Sequence, residues 1–278
     1  MIETSSSTRV LILIGIFIAA LVGESIWPLR KNTESKFVRL RRNLGVAAVS
    51  MILMRLAFLP FEIGAAEFVS HTNIGLLNWL HVDGILRLIV SLVLLDYTLY
   101  FWHFLNHKIP FLWRFHNAHH TDLDLDASTA SRFHFGELAL STFYRVAQIF
   151  VFGIDVPTVL LFETCITGFA LFHHANLRLP LWLERQILKV IVAPRMHGIH
   201  HSIIREETDS NFGTILTLWD RVHRTLMLTR SQDEITIGVP SYRVFSEQRL
   251  IDILAMPFHK QREWILPTGE IPQRNQLS

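Results

Sequence analysis

The chain has 278 residues, of which 50% are hydrophobic and only 18% are charged, and its formal net charge is +2. Soluble proteins carry about 25% charged residues, so this composition excludes a disordered chain and argues against a soluble domain. The small net charge, with no basic patch interleaved with aromatic residues, argues against nucleic acid as a partner. The single cysteine, Cys165, excludes an internal disulfide and any cysteine-based zinc or iron–sulfur site.

The first predicted membrane helix lies near the N-terminus. The apolar run from Val10 to Leu29 is interrupted only by Glu24 and has about the 20 residues needed to span a bilayer. Arg9 stands alone in front of it, whereas six basic residues follow within residues 30–42. A cleaved signal peptide has its charge before the apolar run, so we expect a retained anchor. The positive-inside tendency places residues 30–42 in the cytoplasm and the N-terminus outside.

Further apolar stretches follow along the chain. Leu44–Phe61 is the second predicted span, although Arg55 interrupts it, and Ile85–Leu105 is the third. The stretch from Leu138 to Phe172 is broken by the turn-forming residues 153–157, so it predicts two shorter helices. The remainder of the chain is expected in the cytoplasm. The sequence therefore predicts an all-α, multi-pass membrane bundle of about four transmembrane or half-spanning helices with a cytoplasmic helical cap.

Histidine is the most unusual feature of the composition, with 15 residues against five lysines. Eight histidines form three boxes on the expected cytoplasmic side, at His103–His107, His116–His120 and His197–His201. In a helix, positions i, i+3 and i+4 share one face, whereas two adjacent histidines diverge by about 100°. The spacing within each box therefore suits metal binding, and each adjacent pair can serve two neighbouring metals more easily than one.

The donor set narrows the choice of metal. Imidazole ligands suit iron, copper, zinc or nickel and disfavour magnesium or calcium. A structural zinc site normally stops at four ligands and often includes cysteine, so eight histidines indicate two metals. Two adjacent redox metals that face a lipid phase favour O₂ chemistry on an apolar substrate.

These motifs resemble those of the fatty acid hydroxylase and sterol desaturase superfamily, whose members are membrane non-haem di-iron enzymes. The similar segments run through more than half of the chain. The gap of eight residues between His107 and His116 is similar to that of the sterol desaturase group. Two segments depart from the family pattern, since Phe135 replaces the usual proline and His223-Arg224 replaces a Phe-Gly pair. The segments that carry the resemblance are Asp96–His107, Arg114–His120, Ser131–Glu137, Phe172–Asn176, Pro194–His201, Asn211–Gly213 and Trp219–Asp220.

The resemblance implies two iron ions as cofactor, with O₂ as co-substrate. It also implies a ligand set of ten histidines. The other five, His71, His81, His173, His223 and His259, are expected not to bind metal. The implied ligands are His103, His107, His116, His119, His120, His134, His174, His197, His200 and His201.

Several polar residues are candidates for holding the outer nitrogen of a metal-bound histidine, since that nitrogen usually donates to a carboxylate or carbonyl. Asp96 is the first candidate because it precedes His103 by two helical turns on the same face. Pairing with Arg87 is the alternative. Glu137, Asn176, Asn211 and Asp220 are candidates for the same role, with helix capping or surface pairing as the alternative.

The resemblance implies an oxidoreductase that hydroxylates or desaturates a C–H bond of a sterol, fatty acyl or alkyl lipid. An ether-lipid (alkylglycerol) monooxygenase is an alternative with the same chemistry. A non-catalytic membrane metal-binding protein and a zinc-dependent hydrolase are alternatives of other classes. Metal content and O₂ consumption with a reductant would separate the oxidoreductase from the metal-binding protein, and the hydrolase would bind zinc and need no electron donor.

The expected division of the chain is an N-terminal transmembrane region (1–84), a catalytic domain with the boxes (85–225) and a C-terminal cytoplasmic region (226–278). No cytochrome b5-like domain is recognised in the sequence, so electrons are expected from a separate cytochrome b5, ferredoxin or reductase. The other expected partners are a lipid substrate and the bilayer. We expect a bacterial inner membrane, or the endoplasmic reticulum if the source is eukaryotic.

Overall fold

The computed structural model describes residues 6–274 of the chain. Within these residues the regular structure is helical, and isolated β-bridges take the place of a sheet. The all-α prediction is thus confirmed. The helices are α1 (Ser6–Ile26), α2 (Lys36–Ala57), α3 (Leu59–Thr72), α4 (Leu76–Trp79), α5 (Gly84–Lys108), α6 (Pro110–His120), α7 (Phe135–Phe152), α8 (Val156–His174), α9 (Leu181–Ile187), α10 (Pro194–His200), α11 (Arg205–Thr208), α12 (Leu218–Val222) and α13 (Leu250–Ala255).

Three of the described helices are long and apolar enough to cross a membrane. They correspond to residues Ser7–Ile26 of α1, Gly84–Lys108 of α5 and Val156–His174 of α8. The first and third predicted spans therefore coincide with helices, and most of the α1 surface is free of protein contact. Such a surface requires an apolar environment, which a bilayer supplies.

The second predicted span differs from the structure. Helix α2 begins at Lys36 and has a charged first half, and it ends at Ala57 instead of continuing to Phe61. Pro60 stands at the start of α3, and a proline disfavours helical geometry at the residue before it. The predicted single span is therefore two helices, and neither is among the three membrane-spanning candidates.

The break predicted at residues 153–157 is present. Gly153 ends α7 with a φ of +78°, and the Asp155 side chain accepts a hydrogen bond from the Thr158 backbone N–H to begin α8. A Cβ atom on Gly75 would lie 2.3 Å from the Gly153 nitrogen, so the two chain segments pack with glycine against glycine. This close turn brings α8 back along α7 and returns the chain to the level of the histidines.

An apolar core holds α3, α4, α5, α7 and α8 together. It consists of aliphatic side chains and one phenylalanine, and all of them are buried. Burial of such a side chain contributes about 1.5–3 kcal/mol, so the cluster fixes the spacing of the helices that carry the histidines. Its buried members are Ala65, Ala66, Val69, Leu77, Leu95, Ile149, Ile154, Val159 and Phe162.

A buried ionic network joins α2 to the segment that follows α6. The guanidinium of Arg39 is fully buried, and it donates to both carboxylate oxygens of Asp122 at 3.1 and 2.8 Å and to Asp126 at 2.5 Å. Arg132 donates to the Ala118 carbonyl at 2.9 Å and to Asn43 at 3.1 Å. These bonds hold the second histidine box against α2.

The chain after α1 pairs with the chain after α8. Leu29 N–H donates to the Asn176 carbonyl at 2.9 Å, and Arg178 N–H donates to the Trp27 carbonyl at 2.8 Å. The buried Glu24 carboxylate accepts hydrogen bonds from the backbone N–H groups of Ala127 and Asn176. The first helix is therefore tied directly to the segment that follows His174.

Candidate metal centre

The three boxes come together at one end of the helical bundle. The first lies in the last turns of α5, and the short link through Ile109 to Pro110 turns the chain directly into α6, which carries the second box. The third box is on α10, and α8 ends at His174 beside it. Helical spacing places the histidines of each box on adjoining faces, and the bundle brings those faces together.

Nine of the ten predicted ligands form two groups of ring nitrogens. Within each group, the ligand atoms all lie within 4.8 Å of one another. The adjacent histidines of the second and third boxes are divided between the groups, as the 100° angle between neighbouring helical positions requires. The first group is His103, His107, His116, His120 and His200, and the second is His119, His174, His197 and His201.

Four of these rings are oriented by a hydrogen bond from the Nδ1 atom. His103 donates to the Phe212 carbonyl and His174 to the Ala170 carbonyl, both at 2.8 Å. His200 donates to the Ser210 carbonyl at 2.7 Å, and His116 donates to Glu137 Oε1 at 2.8 Å. Each bond fixes the proton on Nδ1, so the Nε2 lone pair is available to a metal.

Other ring nitrogens have the environment expected of metal ligands. The Nε2 atoms of His119 and His174 lie 3.1 Å apart, those of His174 and His197 3.0 Å, and those of His197 and His201 3.1 Å. Both ring nitrogens of His107 are buried without a hydrogen-bond partner among the described residues. Converging lone pairs at buried positions are costly unless a cation is bound, so the residues fit two metal ions.

Burial sets the protonation of the rings outside the membrane-spanning candidates. It lowers the pKa of His119, His120, His197 and His201 well below the ordinary value, and neighbouring imidazoles lower the pKa further. These rings are therefore neutral near pH 7, which is the form of histidine that binds a metal.

The structure does not bring His134 to either group. Its Nδ1 atom accepts a hydrogen bond from the Gly136 backbone N–H at 2.9 Å, and its Nε2 atom donates to the Leu254 carbonyl at 3.1 Å. Both ring nitrogens are thus used in capping α7 and in holding the C-terminal region. The structure therefore brings together nine of the ten predicted ligands.

The histidines expected not to bind metal also lie outside both groups. His173 is the nearest of them, with its ring centroid 4.1 Å from that of His197, and it is buried. His223 is exposed and stacks on Tyr100 at 5.0 Å. His71, His81 and His259 are exposed.

The position of Asp96 differs from the expectation that it contacts a histidine. Its Oδ2 atom accepts a hydrogen bond from the Trp219 ring N–H at 2.7 Å and from the Leu216 backbone N–H at 3.3 Å. Arg87, the alternative partner, donates instead to the carbonyls of Gly153 and Val82. Asp96 therefore holds residues 216–219 against α5, since its hydrogen-bond donors come from this segment and not from an imidazole.

Of the other polar residues predicted to hold a histidine nitrogen, only Glu137 contacts a histidine of the two groups. Glu137 contacts His116 directly, whereas Asn176 accepts a hydrogen bond from the Arg30 backbone N–H and donates to the Arg30 carbonyl. Asn211 has a left-handed φ of 55° and donates to the Met196 and Met227 carbonyls. Asp220 accepts from the backbone N–H groups of Phe212 and Gly213 at 2.9 and 2.8 Å.

We call residues 209–225 the collar, because their carbonyl groups orient two rings of the first group. Ser210 and Phe212 provide these acceptors, and Asn211 and Asp220 hold their backbone in place. Asp209 also lies at the centre and is not predicted from the sequence. Its Oδ1 atom is 3.7 Å from His107 Nδ1, and its other oxygen pairs with Lys108 at 2.7 Å. No motif distinguishes this carboxylate from others on the surface.

A cavity of about 710 Å³ leads from the histidines into the bundle. Its walls are mainly apolar and come from α2, α5, α7 and α8, with Leu99, Trp102 and Leu138 among them. His103, His116, His119, His174 and His197 line it, so both groups face the same space. Its volume lies within the range of sites that accept a drug-sized or lipid-like molecule.

The chain is similar in sequence to known proteins. Residues 88–225 match the family model of the fatty acid hydroxylases. The chain is 30% identical to an ornithine lipid hydroxylase of Rhizobium tropici over 55% of its own length and 45% of the relative's. It is 26% identical to cholesterol 25-hydroxylase of Rattus norvegicus, over 58% of this chain and 54% of the relative. It is also 25% identical to alkylglycerol monooxygenase of Homo sapiens, over 47% of this chain and 28% of the relative.

The matched regions thus span about half the length of the first two relatives and less of the third. No solved structure matches the chain.

Proposed function

Since this chain belongs to the fatty acid hydroxylase and sterol desaturase superfamily, we propose that it is an O₂-dependent membrane oxidoreductase. It hydroxylates or desaturates a C–H bond of a lipid and takes electrons from a separate donor protein of the cytochrome b5, ferredoxin or reductase type. The observation that carries the proposal is the division of nine histidines, eight of them buried, into two groups that face one mainly apolar cavity.

The nine histidines would hold two iron ions, with five ligands in the first group and four in the second. Bound iron supplies the activation of O₂ and the removal of a hydrogen atom from the substrate. The carbonyls of Phe212, Ser210 and Ala170 and the Glu137 carboxylate keep four rings in the tautomer that presents Nε2. Fixed rings keep the metal positions constant during turnover.

The cavity would position the substrate, and the bound substrate would displace water from the space beside the histidines. An apolar chain that enters between α2, α5, α7 and α8 would pass Trp102 and Leu99 and end beside His103 and His174. Dry surroundings protect reactive species from side reactions with water. Whether hydroxylation or desaturation results depends on which hydrogen the walls hold nearest to the centre.

An alkylglycerol monooxygenase activity is the second candidate, supported by the similarity to the human enzyme of that name. Both candidates use the same centre and differ in the lipid that enters the cavity. Lipid profiling of cells with and without the protein, under limiting and ample oxygen, separates them.

Removal of one ligand from each group tests the proposal. We expect His200→Ala and His119→Ala to lose bound iron and at least about 99% of O₂-dependent lipid oxidation, since ligands that act as a unit cannot replace one another. The measurements are iron content by mass spectrometry and O₂ consumption with a chemical reductant. The exposed His259→Gln variant is the control and should keep both.

Two outcomes would contradict the proposal. Full activity in both ligand variants would exclude a catalytic role for the groups. Zinc content with hydrolysis and no O₂ consumption would indicate a hydrolase instead.

A further inference from the structure

The end of the cavity away from the histidines is charged. Glu62 of α3, Arg145 of α7 and Glu163 of α8 line it together with Thr142. Arg145 is nearly buried, and its Nε atom donates to Glu163 Oε1 at 3.1 Å. Ionisable side chains among apolar helices are expensive and generally mark a functional site.

The distance between this charged end and the histidines is set by the helices. Glu163 precedes His174 by eleven residues on α8, which is about 16 Å along a helix axis. Arg145 follows Glu137, the partner of His116, by eight residues on α7, or about 12 Å. A molecule that fills the cavity therefore has one end at the charged side chains and the other at the metal ligands.

A wholly apolar substrate does not suit this cavity. It would displace water from the half-buried carboxylates of Glu62 and Glu163 and offer them no hydrogen bond, which is unfavourable for a charged group. About 43% of the Glu163 side chain remains exposed beside the cavity. A ligand with a polar group at this end is therefore favoured over a wholly apolar one.

The balance of charge indicates which polar group is favoured. Among the described side chains at this end of the cavity, two carboxylates, Glu62 and Glu163, face one guanidinium, that of Arg145. Arg145 is already engaged, because it pairs with Glu163, donates to Gln148 at 2.7 Å and lies 4.8 Å from the Phe162 ring centroid. Burial, and next the neighbouring Glu163, raise the pKa of Glu62 to about 7, although the Arg145 charge and a hydrogen bond with Thr142 act to lower it.

We propose that Glu62 and Glu163 bind a cationic amine on the substrate, so that the cavity selects a long-chain lipid whose polar head carries an ammonium group. This inference rests on the proposed function, of which it names the substrate class. The ammonium pairs with the carboxylates, and the chain lies along α7 and α8 with a carbon about 12–16 Å away held at the histidines. Neutral and anionic lipids of the same length bind less well.

Competitive binding tests the proposal without iron or turnover. The purified full chain in detergent is incubated with equal amounts of hexadecylamine, hexadecan-1-ol and palmitate, and the bound lipid is identified by native mass spectrometry. We expect the amine to be preferred by about tenfold over the alcohol, since a charge-assisted hydrogen bond is worth at least that factor. Glu62→Gln should reduce this preference to less than threefold, and Glu163→Gln should also reduce it.

Glu67→Gln is the matched control, because Glu67 lies on the same helix but is exposed and does not line the cavity. Its preference for the amine should equal that of the unmodified protein. Thermal unfolding of each variant identifies loss of fold, and Glu163→Gln serves as the test if Glu62→Gln does not fold.

Three results would overturn the inference: equal binding of amine and alcohol, strongest binding of palmitate, or an unchanged preference in both glutamate variants. The iron content of the same preparations separates this result from the proposed function. Iron at two ions per chain without amine preference overturns only the substrate class. Amine preference without any iron binding overturns only the proposed chemistry.

Discussion

At the scale of single residues, the centre depends on the groups that hold each imidazole as much as on the imidazoles. His116 is the clearest case, since its Nδ1 atom donates to the buried carboxylate of Glu137. This carboxylate keeps the proton on Nδ1 and makes Nε2 a stronger ligand. It also lines the cavity, so a change here affects the first group from the substrate side.

Substitution of Glu137 measures this effect. We expect Glu137→Ala to weaken iron binding by about 10–100-fold, the usual cost of losing the partner of a metal-bound histidine. Glu137→Gln should cost less because its amide oxygen can still accept the Nδ1 proton. Iron titration of the purified protein gives both affinities, and the exposed Glu206→Ala is the control. Equal affinities in Glu137→Ala and the unmodified protein would contradict the assigned role.

At the scale of structural elements, the collar and the helices contribute differently to the two groups. Carbonyls of the collar orient His103 and His200, both of the first group, whereas His174 of the second group donates to a carbonyl of its own helix. Damage to the collar should therefore affect the two metal positions unequally.

Asp220→Asn tests this difference. The variant loses the charge that accepts the N–H groups of Phe212 and Gly213, and we expect a cost of about 1–3 kcal/mol in the stability of the collar. Iron should fall from two ions per chain toward one, with the first group losing its metal first. Metal analysis and the spectrum of the remaining iron provide the measurement. Asp233→Asn, at an exposed position, should retain both ions, and equal loss from the two groups would contradict the assignment.

At the scale of the whole molecule, the distribution of basic residues predicts which side of the membrane carries the centre. The basic residues after α1 favour the cytoplasm for residues 30–42 and for the histidines, and the outside for residues 62–83. In a Cys165→Ser background, a membrane-impermeant maleimide applied to intact cells should label His71→Cys and leave Arg41→Cys unlabelled. Both positions are exposed, so access depends on the side of the membrane alone. The reverse labelling pattern would invert the predicted topology.

The sequence predicted the features that depend on local spacing. The three boxes, the break at Gly153 and the span in α5 follow from helical periodicity and turn residues, and the structure contains all of them. The partners of Asp96 and His134 could not be predicted, because Trp219 and Leu254 lie more than 100 residues away in sequence. The charged end of the cavity is also a product of tertiary packing, since Glu62, Arg145 and Glu163 share no motif.

The pairing between the chain after α1 and the segment after His174 limits which membrane helices could replace α1. The end of α1 and the residues that follow it do more than attach the chain to a membrane. Glu24, Leu29 and Arg30 form hydrogen bonds with the segment that follows His174, a member of the second group. A chimaera that exchanged residues 6–30 for an unrelated membrane helix would keep its attachment to the bilayer and lose these contacts. In this protein, attachment and assembly of the centre are encoded by the same stretch of chain.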